Sequence, residues 1–459
     1  MPDSTTRPRP GSSLRIGVSG VRGVAGEALT PQIVTSFAAA FGTYRGQGRV
    51  YIGTDTRPSR EMLTQATVAG LLSVGCTPVQ LGVAPTPTLQ LYSRQVASVG
   101  SISVSGSHNP TEWNALKFFA SDGVLLRPNQ FTELLDLYHQ GTFSRVAASE
   151  IQVVENDNSA VLRHREAVLA AVDQTAIRKR RFKIAIDCCN GAASIAAPTF
   201  LRELGCDVVE TRTNPEGVFP QDPEPLSENL GDLGALVRES GADIGFALDP
   251  DADRLALMNE AGAAIGEDLT LAIVVRHVLR RRPGPVVVHI ATSRVIDDIA
   301  REANVPVLRT RVGEIHVLDQ MLESDSPVGG EGTGGVIVPE VNPCRDSFVA
   351  MAFLLEALTF DKESLTEQRN RLPRYSLVRK TVRCRPRTAA AWLRLLRQKY
   401  RHENLDLTDG VKILWDDSWL HIRGSNTDAL LRVTAEANGA EQAERLIQDV
   451  FDTLATLRG

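Results

Sequence analysis

The sequence predicts an α/β protein of several layered domains, followed by a smaller α+β domain. Short β-branched runs alternate with amphipathic helical stretches, and that pattern restarts more than once along the chain. Alternation of this kind implies sheets with much parallel pairing, covered by helices. A chain of 459 residues has room for three or four domains at roughly 100–200 residues each.

The runs RVYIGTD (49–55), SVGSISVSGS (98–107), FKIAIDC (182–188), IGFALD (244–249) and PVVVHIA (285–291) read as buried strands ending in polar loops. PQIVTSFAAAFGTYR and DLTLAIVVRHVLRRR read as helices. IQVVENDNSA reads as a linker, after which a new strand-helix cycle begins at FKIAIDCCNGAA and another near PVVVHIATSR. After about residue 372 the character changes to strand RYSLVRKTVRC, helix AAAWLRLLRQKY, strands VKILW and WLHIRG, strand LLRVTAEA and helix AERLIQDVFDTLATL. That segment is the expected α+β domain. In such sheets function gathers beyond the carboxyl ends of the strands.

Composition narrows the function. The formal net charge is −5 with no basic block, which speaks against nucleic acid and anionic membranes as partners. No apolar run approaches the roughly 18–20 residues of a membrane span. The opening MPDSTTRPRPGSS lacks an apolar core and reads as a loose leader rather than a signal. Six cysteines at 76, 188, 189, 206, 344 and 384 show no CxxC spacing, which favours reduced thiols and a cytoplasmic location over zinc or disulfides.

DPDADR (249–254) is the strongest chemical signal. Three carboxylates alternating with small residues can converge Asp249, Asp251 and Asp253 on one hard cation. A calcium EF-hand would need glycine where Arg254 stands, although Glu260 occupies its twelfth position, and the flanks GFAL and LALM are strand-like. A solvated acidic turn is the plain alternative. Three aspartates beside an arginine suit a metal with a phosphate ligand.

SGSHNP (105–110) places Ser107 and His108 on the loop after a strand. A Ser-His-Asp hydrolase is one reading, but G-x-S-x-G is absent, and an ordinary turn is another. Lys117 lies on an apparent strand downstream, where a partly desolvated amine with a lowered pKa could serve as a base. GGEGTGG (329–335) holds a G-x-G-x-x-G match followed by VIVP rather than a helix, so a dinucleotide site is not expected. Its Glu331 and Thr333 could take sugar hydroxyls. RGSNTDALLR (423–432) offers a guanidinium, hydroxyls and loop N–H groups suited to an anion, with Arg432 opening the next strand, and a polar hairpin turn is the plain alternative. SGVRGVAG (19–26) sets Arg22 among glycines, which permits close backbone approach to a ligand.

Together, SGVRG, SGSHNP, DPDADR, GGEGTGG and RGSNTD resemble the motifs of the α-D-phosphohexomutases, in the order that family uses and over nearly the whole chain. The resemblance implies three mixed α/β-layer domains plus a smaller C-terminal α+β domain around a central cleft, divided here as 1–156, 157–262, 263–372 and 373–459. It implies a phosphotransferase that interconverts hexose 6- and 1-phosphates through phosphorylated Ser107 and a bisphosphorylated sugar.

It also implies that Ser107, Asp249, Asp251 and Asp253 hold Mg²⁺, and that Lys117 and Arg22 assist proton transfer and phosphate stabilisation. His108 and Arg254 would lie beside the transferring group, and Glu331 and Thr333 on the sugar. Arg423, Ser425, Asn426, Thr427 and Arg432 would grip the phosphate that is not being transferred. A hexose 1,6-bisphosphate is the expected activator, a hexose phosphate the partner, and monomer or homodimer the expected state. GGEGTGG lacks a histidine after its glutamate, and Glu314 in VGEIHV stands where some relatives carry histidine. The loop form inclines the reading to phosphoglucosamine mutase, with phosphomannomutase/phosphoglucomutase as the alternative and a phosphatase on the same scaffold behind both.

Overall fold

A computed structural model describes residues 14–17, 19–219, 222–425 and 430–456. The chain divides into two compact units. The first comprises Met1–Thr270 with Thr333–Thr366, and the second Leu271–Gly332 with Glu367–Gly459.

The first unit carries a seven-stranded sheet in the order Arg15–Gly17, Gly20–Val24, Trp113–Ala120, Gly100–Val104, Arg49–Thr54, Thr77–Val83, Glu155–Asn156. Strands 49–54, 77–83 and 100–104 are mutually parallel, whereas 113–120 runs antiparallel to both of its neighbours. The sheet is mixed, as the family resemblance implied, and includes the parallel pairing that the alternation of elements predicts. Its buried apolar face packs on helix Pro31–Arg45, where Phe37 and Phe41 meet Phe118 of the antiparallel strand. Thr30 caps that helix by accepting the Ile33 N–H at 3.4 Å. A second sheet orders Leu255–Met258, Ile244–Leu248, Lys183–Asp187 and Asp207–Thr211.

Two stretches differ from the sequence reading. Within SGVRG, to which the sequence reading gave no element, Gly20–Val24 is a strand that pairs with Trp113–Ala120 and sets Arg22 opposite Ala115. Gly20 makes the pairing possible, since its φ is +110° and a Cβ there would lie 2.1 Å from the Leu116 carbonyl oxygen. Within IQVVENDNSA, Glu155–Asn156 pairs with Val79 and Gln80 and ends the sheet, held by the Arg49–Glu155 ion pair at 3.1 Å. The supposed linker is therefore partly sheet edge.

In the second unit, Val307–Thr310, Val286–His289 and Val328–Glu331 form parallel pairs. The C-terminal sheet is wholly antiparallel, in the order Ser376–Arg383, Leu430–Ala437, Ser418–Gly424, Val411–Leu414, Asn404–Asp406. Helices Pro386–Lys399 and Ala440–Thr456 cover it over a core that includes Trp392, Leu396, Ile422, Val433 and Ile447. This is the expected smaller α+β domain. Among the described residues no helix is long and apolar enough to cross a membrane.

Candidate active site

The serine loop begins where strand Gly100–Val104 ends. That strand lies beside Arg49–Thr54 with Thr54 opposite Val104, so Asp55 and Ser105 leave the sheet together. Ser105 Oγ donates to Asp55 Oδ2 at 2.7 Å and accepts the Ser107 N–H at 3.1 Å. Arg57, fully buried, forms a close ion pair with Asp55, donates to the Ser107 carbonyl at 2.8 Å and also bonds the Asn109 carbonyl. Ser107 is fixed at φ +50°, a left-handed conformation that a side-chain-bearing residue adopts at a cost. Its hydroxyl lies 3.3 Å from His108 Nδ1. Burial, with Arg254 and Arg22 nearby, pushes the His108 pKa well down, so the ring is neutral at physiological pH. Neighbours in the chain, the hydroxyl and imidazole do meet here.

The metal loop joins the antiparallel strands Ile244–Leu248 and Leu255–Met258. Asp249, Asp251 and Asp253 are all at most 2% exposed, and one oxygen from each lies within 4.8 Å of the others. In every case one carboxylate oxygen is held by the protein. Asp249 Oδ1 accepts the N–H groups of Asp253 and Arg254 at 3.0 and 3.2 Å. Asp251 Oδ2 accepts Thr86 Oγ1 at 2.9 Å and Lys117 Nζ at 2.5 Å. Asp253 Oδ2 accepts Arg345 Nη2 at 2.5 Å. The other three oxygens, Asp249 Oδ2, Asp251 Oδ1 and Asp253 Oδ1, are buried without a hydrogen-bond partner. Three orphaned carboxylate oxygens on one cluster are costly unless a cation takes them, and an all-oxygen donor set suits Mg²⁺. Without a cation, burial and the neighbouring Asp253 and Asp251 raise the Asp249 pKa well above the carboxylate range.

Cations surround this cluster. Burial works against the charged form of Lys117, but the Asp251 and Asp253 carboxylates overcome it and the pKa is raised. This corrects the expectation of a lowered lysine pKa: a strand position opposite Ser103 turns the side chain onto a carboxylate rather than into an apolar pocket. Burial likewise disfavours ionised Asp251, yet Lys117 holds its carboxyl below the usual range. Arg254 pairs with Glu224 at 2.9 Å and stands 3.8 Å from Asp253 Oδ1. Arg345 and Arg22 complete the set through their effect on His108. Arg22, Lys117, Arg254 and Arg345 oppose Asp249, Asp251, Asp253 and Glu224. A bound dication therefore leaves a surplus of about two positive charges, the complement of a phosphoryl dianion.

Thr333 belongs to the first unit. The glycines after it lie against the metal hairpin: Leu255 N–H donates to the Gly334 carbonyl at 3.0 Å, and a Cβ on Gly335 would come within 2.5 Å of Arg345 Cδ. Glu331 belongs to the second unit, buried at the end of Val328–Glu331. There, Arg423 and Arg432 face each other as a cross-strand pair. Like charges directly opposite destabilise a sheet unless other groups offset them. Asp409 Oδ2, 3.8 Å from Arg423, partly offsets the charge. Ser425 N–H donates to the Leu430 carbonyl at 2.9 Å. Asn426 and Thr427 lie outside the described residues.

Sequence reasoning missed Asp55, Arg57, Thr86, Glu224 and Arg345. TDTRP, a polar run ending a buried strand, was a usable signal for the first two. Asp346 before an apolar helical run marked a helix start next to Arg345.

A serine on a fixed loop, a carboxylate cluster shaped for a dication and a shell of arginines and lysine define a phosphoryl-transfer centre on layered α/β domains. Models of the phosphoglucomutase/phosphomannomutase family match in series: alpha/beta/alpha domain I at 13–145, domain II at 163–262, domain III at 266–375 and the C-terminal domain at 382–453. A protein named "Probable phosphoglucosamine mutase" from Methanopyrus kandleri is 37% identical over 440 residues, covering 95% of this chain and 96% of its own. A "Phosphoglucomutase/phosphomannomutase" from Thermococcus kodakarensis is 36% identical over 441 residues, covering 94% and 96%. The crystal structure of a phosphoglucomutase/phosphomannomutase family protein from Burkholderia thailandensis superposes with a TM-score of 0.84 at 26% identity, covering 95% of each chain. The chain belongs to the phosphoglucomutase/phosphomannomutase family, the phosphohexomutases.

Proposed function

We propose that the enzyme interconverts hexose 6-phosphate and hexose 1-phosphate by lending a phosphate from Ser107 and recovering it, with glucosamine phosphate as the preferred sugar. The supporting observation is the pairing of a conformationally fixed Ser107 with three carboxylates that each keep one buried oxygen free. Asp249, Asp251 and Asp253, with the phosphate on Ser107, are the ligands we assign to Mg²⁺. The ion would neutralise charge on the phosphoryl oxygens as they move.

Without a cation, Lys117 is charged and paired with Asp251. Its role in this reading is to give a proton to Ser107 Oγ as the P–Oγ bond breaks and to take the proton that the attacking sugar hydroxyl gives up as the new O–P bond forms; both transfers reverse when phosphate returns. Arg22 and Arg254 stabilise the phosphoryl group, with His108 beside it. Glu331 and Thr333 take sugar hydroxyls. Arg423 and Arg432, with Ser425, Asn426 and Thr427, take the phosphate at the other end of the sugar. After the first transfer the sugar carries two phosphates, and its turnover presents the other one to Ser107. A hexose 1,6-bisphosphate would reload enzyme that had lost its phosphate, hence activation. The domain limits 1–156, 157–262, 263–372 and 373–459 and a cytoplasmic location are part of this reading. Free thiols at all six cysteines agree with that compartment.

Glucosamine rests on the GGEGTGG loop and on the name of the Methanopyrus relative. The Thermococcus relative supports glucose or mannose phosphate as the second reading. Side-by-side assays with the 6-phosphates of glucosamine, glucose, mannose and N-acetylglucosamine test it. The highest kcat/KM on glucosamine 6-phosphate is expected. A preference for mannose or glucose would move the assignment to the second reading, and release of free phosphate without isomerised sugar would overturn the mutase.

A further inference from the structure

Thr88, His164 and Asp346 form a hydrogen-bonded chain in the first unit that the proposed reaction does not use. Thr88 Oγ1 lies 2.7 Å from His164 Nδ1, and His164 Nε2 lies 2.7 Å from Asp346 Oδ2. Hydroxyl, imidazole and carboxylate in that order repeat the arrangement of a hydrolase triad. The three residues are 0%, 1% and 1% exposed, so no substrate can reach the hydroxyl. A fully satisfied buried network of this kind rigidifies what it joins.

What it joins are two helix starts that hold the metal loop. Thr88 stands in the first turn of helix Thr86–Gln95. Thr86 opens that helix, gives its hydroxyl to Asp251 Oδ2 at 2.9 Å, and gives its N–H to the Asp251 carbonyl at 3.0 Å. Asp346 caps helix Ser347–Asp361, accepting the N–H groups of Phe348 and Val349 at 2.9 and 3.3 Å through Oδ1. Its chain neighbours grip the same loop from the other side. Arg345 holds Asp253 at 2.5 Å, and Ser347 Oγ donates to the Ala252 carbonyl at 2.7 Å. Asn342 adds a second tie, donating to both the Pro87 carbonyl at 3.0 Å and Asp346 Oδ2 at 2.8 Å.

We propose that Thr88, His164 and Asp346 are positioning residues for the metal centre: a brace that locks two helix starts against each other and so fixes Asp251 and Asp253. Three buried carboxylates repel one another, which works against holding them close. The brace supplies that restraint. It touches neither substrate nor metal, and acts through Thr86, Arg345 and Ser347.

The inference rests on the metal reading of the three aspartates, and the test separates the two. Mn²⁺ is titrated into the full-length protein, with free ion read by electron paramagnetic resonance, and turnover is measured against Mg²⁺ concentration. Thr88→Val and His164→Asn should weaken Mn²⁺ binding about threefold or more, less than the roughly 10–100-fold loss of a direct outer-shell partner, and shift the Mg²⁺ requirement in parallel. Turnover at saturating Mg²⁺ should stay near wild type, and Thr88→Ser, which keeps the hydroxyl, should bind as wild type. A lowered melting temperature with Mn²⁺ affinity unchanged to within about twofold would reduce the chain to core packing and overturn the proposal. If His164→Asn does not fold, Thr88→Val decides. Failure of the wild type to bind Mn²⁺ would remove the metal reading itself.

Discussion

Lys117 Nζ donates to Asp251 Oδ2 at 2.5 Å, an ion pair in which the lysine side chain is 12% exposed and the aspartate 1%. The other oxygen of that carboxylate, Oδ1, is buried without a hydrogen-bond partner, and in the proposed reading it binds the cation. Lys117 therefore both competes with the cation for Asp251 and completes the charge balance of the transfer centre.

Lys117→Met is expected to lower kcat by about 10²–10⁴, the range for loss of a positioned acid-base group. Metal binding should hold or tighten, because a competing cation is gone. The metal-free variant should also lose stability, with Asp251 left buried and uncompensated, and Mg²⁺ should restore it. Steady-state kinetics with melting curves at zero and saturating Mg²⁺ check this. Near-normal kcat would remove Lys117 from the chemistry.

Arg57 fixes the serine loop from a wholly buried position. Arg57→Met strands Asp55 and frees the Ser107 and Asn109 carbonyls. Breaking a buried pair in this way costs about 3–5 kcal/mol, a loss readable by denaturant unfolding. Adding Asp55→Asn should return part of that stability without returning activity, since Ser107 still lacks its anchor. Full activity in either variant would contradict the anchoring role.

How far the site was legible follows from how local each residue's partners are. DPDADR and SGSHNP could be read because their strand flanks and spacing lie within a few residues. Asp55 and Ser105 meet only because two parallel strands end together, 50 residues apart in sequence. Arg345 reaches Asp253 from 92 residues downstream. The sign of the Lys117 shift depended on a partner 134 residues away, so a strand position alone suggested desolvation and the wrong direction. Helix Pro31–Arg45 was read at its observed limits because caps and periodicity are local. The hairpin that carries Arg22 was not, because Gly20 is selected by the distant Leu116 carbonyl.

Arg432, exposed and opposite Arg423, should matter to substrate. Arg432→Gln is expected to raise KM for the sugar phosphate about tenfold or more, the value of a charge-assisted hydrogen bond. It should leave Mn²⁺ affinity unchanged. An unchanged KM would remove the phosphate grip from this pair.

Lys412 is 2% exposed, donates to the Ile290 carbonyl at 2.6 Å and lies 4.2 Å from the Trp419 ring centre. Burial, with Arg309 adding to it, lowers its pKa from 10.5 to about 7. The unfolded chain then binds the extra proton between about pH 7 and 10.5. The contribution of Lys412 to stability therefore rises with pH across that window and is lost as pH falls towards 7. The stability difference between wild type and Lys412→Met should move in favour of the wild type from pH 7 to pH 9, measured by urea unfolding. A pH-independent difference would contradict the lowered pKa.

The central claim is that Ser107 lends and recovers a phosphate. The most direct measurement loads the enzyme with a radiolabelled hexose 1,6-bisphosphate, maps the label, and chases with unlabelled sugar monophosphate. The account predicts label on Ser107, transfer of that label to the sugar, and loss of both labelling and mutase activity in Ser107→Ala. Label discharged to water as inorganic phosphate, or full mutase activity in Ser107→Ala, would contradict it.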